Sequence, residues 1–314
     1  MKSTTPKVLH TLAGKTIIDH VLTQVNNLAP NEIRVVVGAS RESVEGHIKD
    51  IYPNVKTVFQ AQRNGTGHAV QLALADLKTK GTVLILAGDT PLLRSETLAE
   101  FISVHKSSKY QASVLTSELP DPTGYGRILR DETGEIVAII EERDASEEIK
   151  LIDEVNTGVY LFDIDALKSA VAKLDANNSQ GELYLTDVIA AINTGANGAA
   201  AILSNDFTET LGINDRAQLA ECEAVMRDRI NDAHMKAGVA ILDPQTTWIE
   251  TTVKFSSDVT ILPGSLLTGT TTVATGATIG PRTTLHSVVV GAGAKIVESN
   301  CSESEVGAGA SVGP

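Results

Sequence analysis

An aspartate follows an apolar run in the stretch TVLILAGDTPLL, Thr82–Leu93. Residues Thr82–Ala87 are almost wholly aliphatic or β-branched, which is typical of a strand buried on both faces of a parallel sheet. Ligands of open α/β sheets bind just outside the carboxyl ends of the strands, so Asp89 is a candidate for holding a metal ion and a phosphate-bearing ligand. Taken alone, the run is explained equally well if Asp89 only shapes a turn or caps the next helix.

A short glycine-rich segment, QAQRNGTGHAV, precedes this run at Gln60–Val70. Gly65 and Gly67 lie between a predicted strand, Val55–Phe59, and a predicted helix, His68–Leu77. Glycines at such a junction let a ligand approach the backbone, and the start of a helix offers unpaired N–H groups. Turn geometry alone accounts for many such glycines, so this segment is weak evidence of a binding site when taken by itself.

Further polar residues that could contact a ligand lie in residues 120–158. The turn Thr133-Gly134 between two apolar runs predicts a β-hairpin that covers the ligand edge of the sheet. Glu141 and Glu142 end its second arm, where they either orient a polyol substrate or are solvated; the pattern alone favours solvation. Asn156 either points into the cleft or is simply a polar residue at the start of the strand Val155–Phe162.

The elements that must position these residues alternate between helix and strand. The clearest are a helix at Thr16–Leu28, a strand at Ile33–Val37, a helix at Arg41–Ile51, a helix at Ser95–Lys106 and a strand at Gln111–Thr116. This rhythm predicts an α/β domain with a doubly wound, mostly parallel sheet. A long helix follows Asn214 and ends before Gly238, a plausible C′ residue.

The composition changes abruptly after Gly238, where one aliphatic or aromatic residue recurs every six positions. The series is Ile249, Phe255, Ile261, Leu267, Val273, Ile279 and Leu285, followed after a slip of one by Val290 and Ile296, and later by Val306 and Val312. A period of six with one inward aliphatic residue predicts a β-helix of hexapeptide repeats, in which each coil stacks on the next. This pattern predicts architecture and by itself no activity.

Bulk composition excludes several classes of protein. A net charge of −13 over 314 residues argues against a nucleic-acid partner, which needs clustered Lys and Arg. Cys222 and Cys301 lie far apart in the sequence, so neither a zinc site nor a disulfide framework is expected. This cysteine usage fits a protein of the reducing cytoplasm. Without a signal peptide or an apolar run of about 18 residues, no membrane span is predicted.

An ordered set of motifs resembles the bacterial bifunctional enzymes that join an N-acetylglucosamine-1-phosphate uridylyltransferase to a glucosamine-1-phosphate acetyltransferase. The motifs are PKVLHTLAGK, QRNGTGHAV, GDTPLL, DPTGYGRI, EVNTG, NNSQGELYLTD and GIND, with the hexapeptide repeats last. The resemblance covers essentially the whole chain. It implies a Rossmann-like nucleotidyltransferase domain at 1–213, a connecting helix at 214–238 and an incomplete, left-handed β-helix at 239–314.

The same resemblance implies which residues bind the nucleotide. Lys7 corresponds to a lysine that contacts the phosphates. Gln60, Gly65 and Thr66 correspond to residues that read the uracil, whose donors and acceptors suit an amide and backbone groups. The implied partners are UTP, N-acetylglucosamine 1-phosphate and the product UDP-N-acetylglucosamine, with no nucleic acid and no membrane.

The metal and sugar contacts are implied in the same way. Asp89 and Asn214 correspond to ligands of a magnesium ion, and Asn214 also to a substrate contact; with Lys7 they form the implied catalytic set. Gly126, Glu141 and Asn156 correspond to contacts with the N-acetylglucosamine moiety. Of the two adjacent glutamates, Glu141 is the one that aligns with the family, against the pattern-based preference for solvation.

Two departures from the family pattern affect these expectations. The family opens with a strand and a glycine-rich LxxGxGTRM loop that cradles the triphosphate, and here only Met1 of that loop is present. The residues implied in acetyl transfer from acetyl-CoA fall outside residues 1–314, and the family assembles as a trimer through the β-helix. We therefore expect an internal piece of a longer, trimeric, bifunctional enzyme that turns over poorly as written.

Two alternative functions remain open at the level of sequence. One is another sugar-1-phosphate nucleotidyltransferase, such as an adenylyl- or thymidylyltransferase with a β-helix tail. The other is a non-catalytic protein that binds sugar nucleotides. Retention of Lys7, Asp89 and Asn214 argues against the second, because binding alone has less need of two metal ligands.

Overall fold

A computed structural model describes residues 1–38, 40–194 and 197–314. The helices are α1 (Ile17–Asn27), α2 (Arg41–Ile51), α3 (Thr66–Leu74), α4 (Ser95–Ser107), α5 (Glu147–Lys150), α6 (Ile164–Val171), α7 (Asp187–Asn193) and α8 (Arg216–Lys236). The strands before residue 240 are β1 (Thr11–Leu12), β2 (Lys15–Thr16), β3 (Arg34–Val37), β4 (Lys56–Phe59), β5 (Thr82–Ile85), β6 (Ala112–Glu118), β7 (Arg127–Arg130), β8 (Ile136–Ile140), β9 (Glu154–Asp163) and β10 (Ala199–Leu203). Short 3-10 turns span Lys7–Leu9 and Phe207–Thr210.

The chain forms two compact units. The α/β unit comprises Ser3–Leu9 and Ile18–Gly212, and the β-helix unit comprises Met1–Lys2, His10–Ile17 and Ile213–Pro314. The three-part division expected from the sequence stays a prediction. Within the described residues, no helix combines the length and apolarity that a membrane crossing requires.

The main sheet of the α/β unit has the order β10-β6-β9-β7-β8, and β5 also pairs with β9. β10 and β6 are parallel, and β3 pairs with β4 in a separate parallel ladder. β9 runs antiparallel to both β5 and β6, with Leu84 opposite Leu161 and Val114 opposite Tyr160. The α/β class is confirmed, but the run at Thr82 was wrongly predicted to lie between parallel neighbours.

Side chains of β9 alternate between the two faces of the sheet, as the period of two requires. Tyr160 and Phe162 pack with α3, α6 and α7 in one buried cluster. Val159 and Leu161 pack with α4 in another. The sheet is therefore covered on both faces, which leaves its strand ends as the places where polar groups meet solvent.

Two local elements differ from the sequence expectation. α6 was not predicted, although Asp163 caps it by accepting from the N–H groups of Asp165 and Ala166, a common start signal. Before α1, β1 and β2 form a short antiparallel hairpin that the sequence analysis did not predict, with Thr11 opposite Thr16.

Three parallel sheets build the β-helix from the strands after Gly238. These strands are β11 (Ala240–Ile241), β12 (Trp248–Ile249), β13 (Lys254–Phe255), β14 (Thr260–Ile261), β15 (Leu266–Thr268), β16 (Thr272–Val273), β17 (Thr278–Ile279), β18 (Thr284–His286), β19 (Val289–Val290), β20 (Lys295–Ile296), β21 (Asn300–Ser302), β22 (Glu305–Val306) and β23 (Ser311–Val312). The sheet orders are β11-β14-β17-β20-β23, β12-β15-β18-β21 and β13-β16-β19-β22. The predicted hexapeptide β-helix is confirmed.

The register of the strands explains where the six-residue period is interrupted. Ile261 pairs with Ile279, the spacing that three six-residue repeats per coil require. Val273 pairs with Val290, so that coil is one residue shorter. Leu285 pairs with Cys301, which packs partly buried against the core at a position the sequence pattern did not identify. The coils therefore shorten along the chain while the inward column stays continuous.

α8 belongs to the β-helix unit and packs against its first strands. Asn231, fully buried in α8, donates hydrogen bonds to the carbonyl oxygens of Pro244 and Thr247, both at 2.9 Å. Gly238 follows the helix with a φ of 96°. The predicted C′ glycine is thereby confirmed, because only glycine adopts this conformation without steric cost.

Candidate functional site

Asp89 lies in the turn after β5, and Lys7 lies in the 3-10 turn near the start of the chain. The Lys7 ammonium forms an ion pair with the Asp89 carboxylate, although the two residues are 82 positions apart in sequence. Their side chains are 35% and 25% exposed, so both groups can be reached from solvent. Thr90 anchors the turn from within by donating to the carbonyl oxygen of Ala87 at 3.0 Å.

A second contact holds the far end of this turn. The Arg94 amide donates to Glu209 at 3.1 Å, and the Arg94 guanidinium lies 2.9 Å from the same carboxylate. Glu209 is only 3% exposed, so this is a nearly buried carboxylate held by one partner residue. Because Glu209 belongs to the turn Phe207–Thr210, it ties that turn to the one that carries Asp89.

The glycine-rich segment between β4 and α3 is held by a later part of the chain. Gln60 donates through its amide to the carbonyl oxygen of Gly65 at 3.0 Å, and the Thr66 hydroxyl accepts from the Leu185 amide at 3.0 Å. Gly65 has φ 97° and ψ 174°, and a Cβ there would lie 2.4 Å from the carbonyl oxygen of Leu183. Glycine is therefore required at this position both by backbone conformation and by space.

Gly126, Glu141 and Asn156 come together from three different strand ends. The backbone N–H of Asn156 donates to the carbonyl oxygen of Gly126 at 2.8 Å. A Cβ added at Gly126 would lie 3.6 Å from the Glu141 carboxylate and 3.1 Å from Ile139. The Asn156 side chain donates to the Tyr160 hydroxyl at 2.6 Å. This cluster combines a half-buried carboxylate, an amide and a buried glycine with little room for a side chain.

Burial dominates the electrostatics of this cluster. Desolvation raises the pKa of the Glu141 carboxyl, a hydrogen bond from the Thr186 hydroxyl at 3.1 Å opposes the rise, and the neighbouring Asp187 and Asp144 add to it. Burial also raises the pKa of the Tyr160 hydroxyl, with a further contribution from Glu141. A carboxylate in such a setting gains from a ligand that donates hydrogen bonds.

Asn214 lies in the β-helix unit, just before the start of α8. Its backbone N–H donates to the Gln218 side chain at 2.7 Å, and its carbonyl accepts from the Met1 amino group at 3.1 Å. The next residue, Asp215, caps α8 by accepting from the N–H of Ala217 at 2.9 Å. A joint metal site of Asn214 with Asp89 stays a prediction.

Comparison with known proteins identifies the family. Residues 2–243 match the family model for nucleotidyl transferases. The chain belongs to the nucleotidyl transferase family. The predicted nucleotidyltransferase domain is thereby confirmed.

The chain is also similar throughout its length to several curated proteins named bifunctional protein GlmU. It is 45% identical to that of Streptomyces avermitilis and 44% identical to that of Streptomyces coelicolor, in each case over all of this chain and 66% of the relative. The protein of Mycolicibacterium gilvum is 44% identical over all of this chain and 64% of the relative. The chain thus spans slightly less than two thirds of the length of these relatives. The sequence-based resemblance to bifunctional enzymes is confirmed.

In this nucleotidyl transferase, the predicted site residues of the α/β unit fall into three local groups. Lys7 contacts Asp89; Gln60 contacts Gly65 next to Thr66; and Gly126 lies between Asn156 and Glu141. The binding and catalytic roles of these residues stay predictions, since contacts within the protein do not by themselves identify a ligand.

Sequence reasoning missed polar groups that complete the third group. Thr186 lies in the quoted motif NNSQGELYLTD, but its hydroxyl contact with Glu141 depends on a fold that brings together residues 45 positions apart. Tyr160 looked like an ordinary apolar strand residue. The motif DPTGYGRI also contains Arg127, which the structure shows to be buried. An arginine beside apolar strand residues was a sequence signal for a buried ionic partner, because arginine is rarely fully buried without one.

Proposed function

We propose that this chain carries the uridylyltransferase site of a UDP-N-acetylglucosamine-forming enzyme. The observation that carries the proposal is the convergence of Gly126, Glu141 and Asn156 in a protein of the nucleotidyl transferase family. A half-buried carboxylate, Glu141, beside the amide of Asn156 offers acceptors and a donor to a sugar that bears hydroxyl and N-acetyl groups. The similarity to bifunctional GlmU proteins supports the same substrate class.

The nucleotide would be held by the other two groups of residues. Gln60, Gly65 and Thr66 supply an amide, a close backbone approach and a hydroxyl, which suit the donor and acceptor pattern of uracil. Lys7 supplies a positive charge for the phosphates. Because Lys7 contacts Asp89, this charge lies beside the carboxylate that we propose as a metal ligand.

The chemistry of Asp89 fits a magnesium ion. Its carboxylate is partly exposed and is paired with a cationic group, Lys7. The described parts of the chain hold no cluster of three or more His, Cys, Asp or Glu side chains suited to a metal. Magnesium suits a site with the single carboxylate of Asp89, since this ion is commonly held by one or two carboxylates together with substrate phosphates and water. We propose Asp89 and Asn214 as its protein ligands.

The reaction is an in-line displacement. A phosphate oxygen of N-acetylglucosamine 1-phosphate attacks the α-phosphorus of UTP, the bond from that phosphorus to the bridging oxygen breaks, and pyrophosphate leaves. No protein nucleophile is needed, because the attacking phosphate is already ionised at neutral pH. Magnesium, when bound, neutralises charge on the phosphoryl oxygens. Lys7 stabilises the same charge, and the glycine-rich segment and the sugar contacts hold the reactants in line.

Properties of the longer relatives extend the proposal beyond this site. We propose that the parent protein also acetylates glucosamine 1-phosphate with acetyl-CoA, through residues outside 1–314, and that it assembles as a homotrimer through its β-helix. We further propose that it works in the cytoplasm, where its nucleotide substrate is found. Cross-linking or analytical ultracentrifugation tests the trimer; a monomer at micromolar concentration contradicts it for this chain.

A binding panel tests the substrate. Affinities for UDP-N-acetylglucosamine, UDP-glucose, ADP-glucose and dTDP-glucose are measured by calorimetry in the presence of Mg²⁺. Pyrophosphate release is followed in separate samples that contain UTP and N-acetylglucosamine 1-phosphate. We expect UDP-N-acetylglucosamine to bind at least about tenfold more tightly than the others. Preference for ADP-glucose or dTDP-glucose would instead assign the chain to another nucleotidyltransferase activity, and binding of none would contradict the proposal.

Asp89→Ala tests the metal. In the unaltered chain, UTP is expected to bind more tightly as Mg²⁺ is added, and the substitution should abolish this enhancement. Where turnover is measurable, it should fall by about two to three orders of magnitude, the usual effect of losing one charge-stabilising contact. Asp50→Ala, at an exposed carboxylate of α2, is the matched control. An unchanged Mg²⁺ effect in Asp89→Ala removes Asp89 from the site.

A further inference from the structure

Arg127, the first residue of β7, is buried to an unusual degree for an arginine. Its side chain is only 2% exposed. One terminal nitrogen lies 2.8 Å from the Glu142 carboxylate and donates to the carbonyl oxygen of Tyr125. The other donates to the carbonyl oxygen of Lys150 at 3.3 Å. One guanidinium therefore ties together the loop before β7, the segment after β8 and the end of α5.

The partners of this ion pair stand next to two residues proposed to bind the sugar. Arg127 directly follows Gly126, and Glu142 directly follows Glu141. In the sheet, Arg127 pairs with Ile140 on one side and with Val155 on the other, so the ion pair lies where the three strand ends meet. Any change in the distance between Arg127 and Glu142 is passed to Gly126 and Glu141 through a single peptide unit each.

The two adjacent glutamates are thereby given different tasks. Glu142 is directed to Arg127, whereas Glu141 accepts from Thr186 and lies close to Gly126. Glu141 and Glu142 begin a turn that is closed by a hydrogen bond from the Asp144 N–H to the Glu141 carbonyl oxygen at 2.9 Å, and their two side chains contact different partners. The ion pair can thus fix the cluster without occupying it.

We propose that Arg127 and Glu142 form a positioning pair that sets the spacing of Gly126 and Glu141 and so determines affinity for the sugar moiety. The proposal rests on the function proposed above. Its effect is expected at the sugar contacts, because the ion pair directly adjoins Gly126 and Glu141. The glycine-rich segment is held by Leu183 and Leu185, which the ion pair reaches only through Thr186. Loss of the pair should therefore weaken binding of the sugar and leave binding of the uridine part unchanged.

Two ligands separate these effects. UDP-N-acetylglucosamine reports on both parts of the site, whereas UMP lacks the sugar and reports on the nucleotide part. Dissociation constants for both are measured by calorimetry for the unaltered chain, Arg127→Lys and Glu142→Gln. Arg130→Gln serves as the matched control, since Arg130 lies on the same strand and pairs with Glu154 at 2.6 Å but lies farther along β7 from the loop. Thermal melting of each variant checks folding.

We expect the dissociation constant for UDP-N-acetylglucosamine to rise about tenfold or more in Glu142→Gln, with that for UMP unchanged. Arg127→Lys should give a smaller rise, because lysine keeps the charge facing Glu142 but cannot reach both carbonyl oxygens. Arg130→Gln should change neither constant. If Arg127→Lys fails to fold, Glu142→Gln tests the proposal by itself. The Glu142 side chain is 27% exposed, so it tolerates an isosteric change better than the buried Arg127 does.

Other outcomes overturn the proposal. Equal weakening of both ligands in Glu142→Gln indicates a general structural role, and no weakening of either excludes positioning; both leave the proposed function intact. If the unaltered chain binds neither ligand, the proposed function fails first and the positioning role fails with it.

Discussion

The Thr186 hydroxyl donates a hydrogen bond to the Glu141 carboxylate at 3.1 Å, in a setting where burial raises the pKa of that carboxyl. A carboxyl whose pKa is higher in the folded chain than in the unfolded chain binds more protons when folded. Its contribution to the free energy of unfolding therefore decreases as pH rises. Glu141 destabilises the fold at neutral pH, and this cost disappears below the pKa of the unfolded carboxyl.

Glu141→Gln should accordingly raise the melting temperature and lower the affinity for UDP-N-acetylglucosamine. We expect a higher melting temperature than for the unaltered chain at pH 7 and a gap that narrows as the pH is lowered toward 4, the ordinary range of a glutamate. Affinity for UDP-N-acetylglucosamine should fall about ten- to hundredfold, because a charged hydrogen-bond acceptor is lost. Glu132→Gln, at an exposed turn position, should change neither quantity. A lower melting temperature for Glu141→Gln at pH 7 would show that the buried charge is better compensated than we infer.

Lys7→Gln should change the affinities for metal and nucleotide in opposite directions. The Lys7 ammonium competes with a divalent cation for Asp89, so without nucleotide the affinity for Mn²⁺, measured by electron paramagnetic resonance, should rise severalfold. A partly exposed ion pair contributes at most about 1 kcal/mol, which limits the gain. UTP should bind about tenfold more weakly, since a phosphate contact is lost. Lys49→Gln on α2 is the control; a parallel change of both affinities contradicts the competition.

Gly65→Ala should disrupt the glycine-rich segment more than a comparable change in a turn. Both Gly65 and Gly134 have positive φ, 97° and 85°, but a Cβ at Gly65 would meet the Leu183 backbone at 2.4 Å, whereas nothing lies within 4 Å of one at Gly134. Gly134→Ala should cost about 1–2 kcal/mol of unfolding free energy from backbone strain alone. We expect a larger loss for Gly65→Ala, together with weaker UMP binding, as measured by denaturant unfolding and calorimetry. Equal losses would mean that the segment moves aside freely.

Two adjacent leucines test the β-helix. Leu267 is fully buried and Leu266 is 39% exposed, although both belong to β15. Leu267→Ala should lower the free energy of unfolding of the β-helix unit by about 2–5 kcal/mol, the usual range for a buried leucine. Leu266→Ala should cost well under that, since little buried area is lost. Circular dichroism during denaturant unfolding gives both values, and similar costs for the two variants would contradict the inward assignment of Leu267.

The β-helix shows what local periodicity can determine. Ile249, Ile261, Leu267, Ile279 and Leu285 could be assigned to the core because one step of six residues repeats whatever the rest of the chain does. The six-residue step did not identify Cys301, because the coils shorten before it. Only the strand register, which pairs Leu285 with Cys301, shows that Cys301 belongs to the inward-facing column of side chains. Periodicity thus predicts a repeating fold well and fails where the repeat changes length.

The candidate site shows the opposite case. The sequence by itself determined the α/β alternation, the hairpin at Thr133-Gly134 and a set of motif residues, because each depends on short stretches of chain. Only the tertiary structure decided that Lys7 meets Asp89, that Glu141 faces Thr186 while Glu142 faces Arg127, and that β9 enters the sheet antiparallel beside β5. These contacts join residues separated by 15 to 82 positions, so they depend on which strand edges pair, and no local pattern encodes that choice.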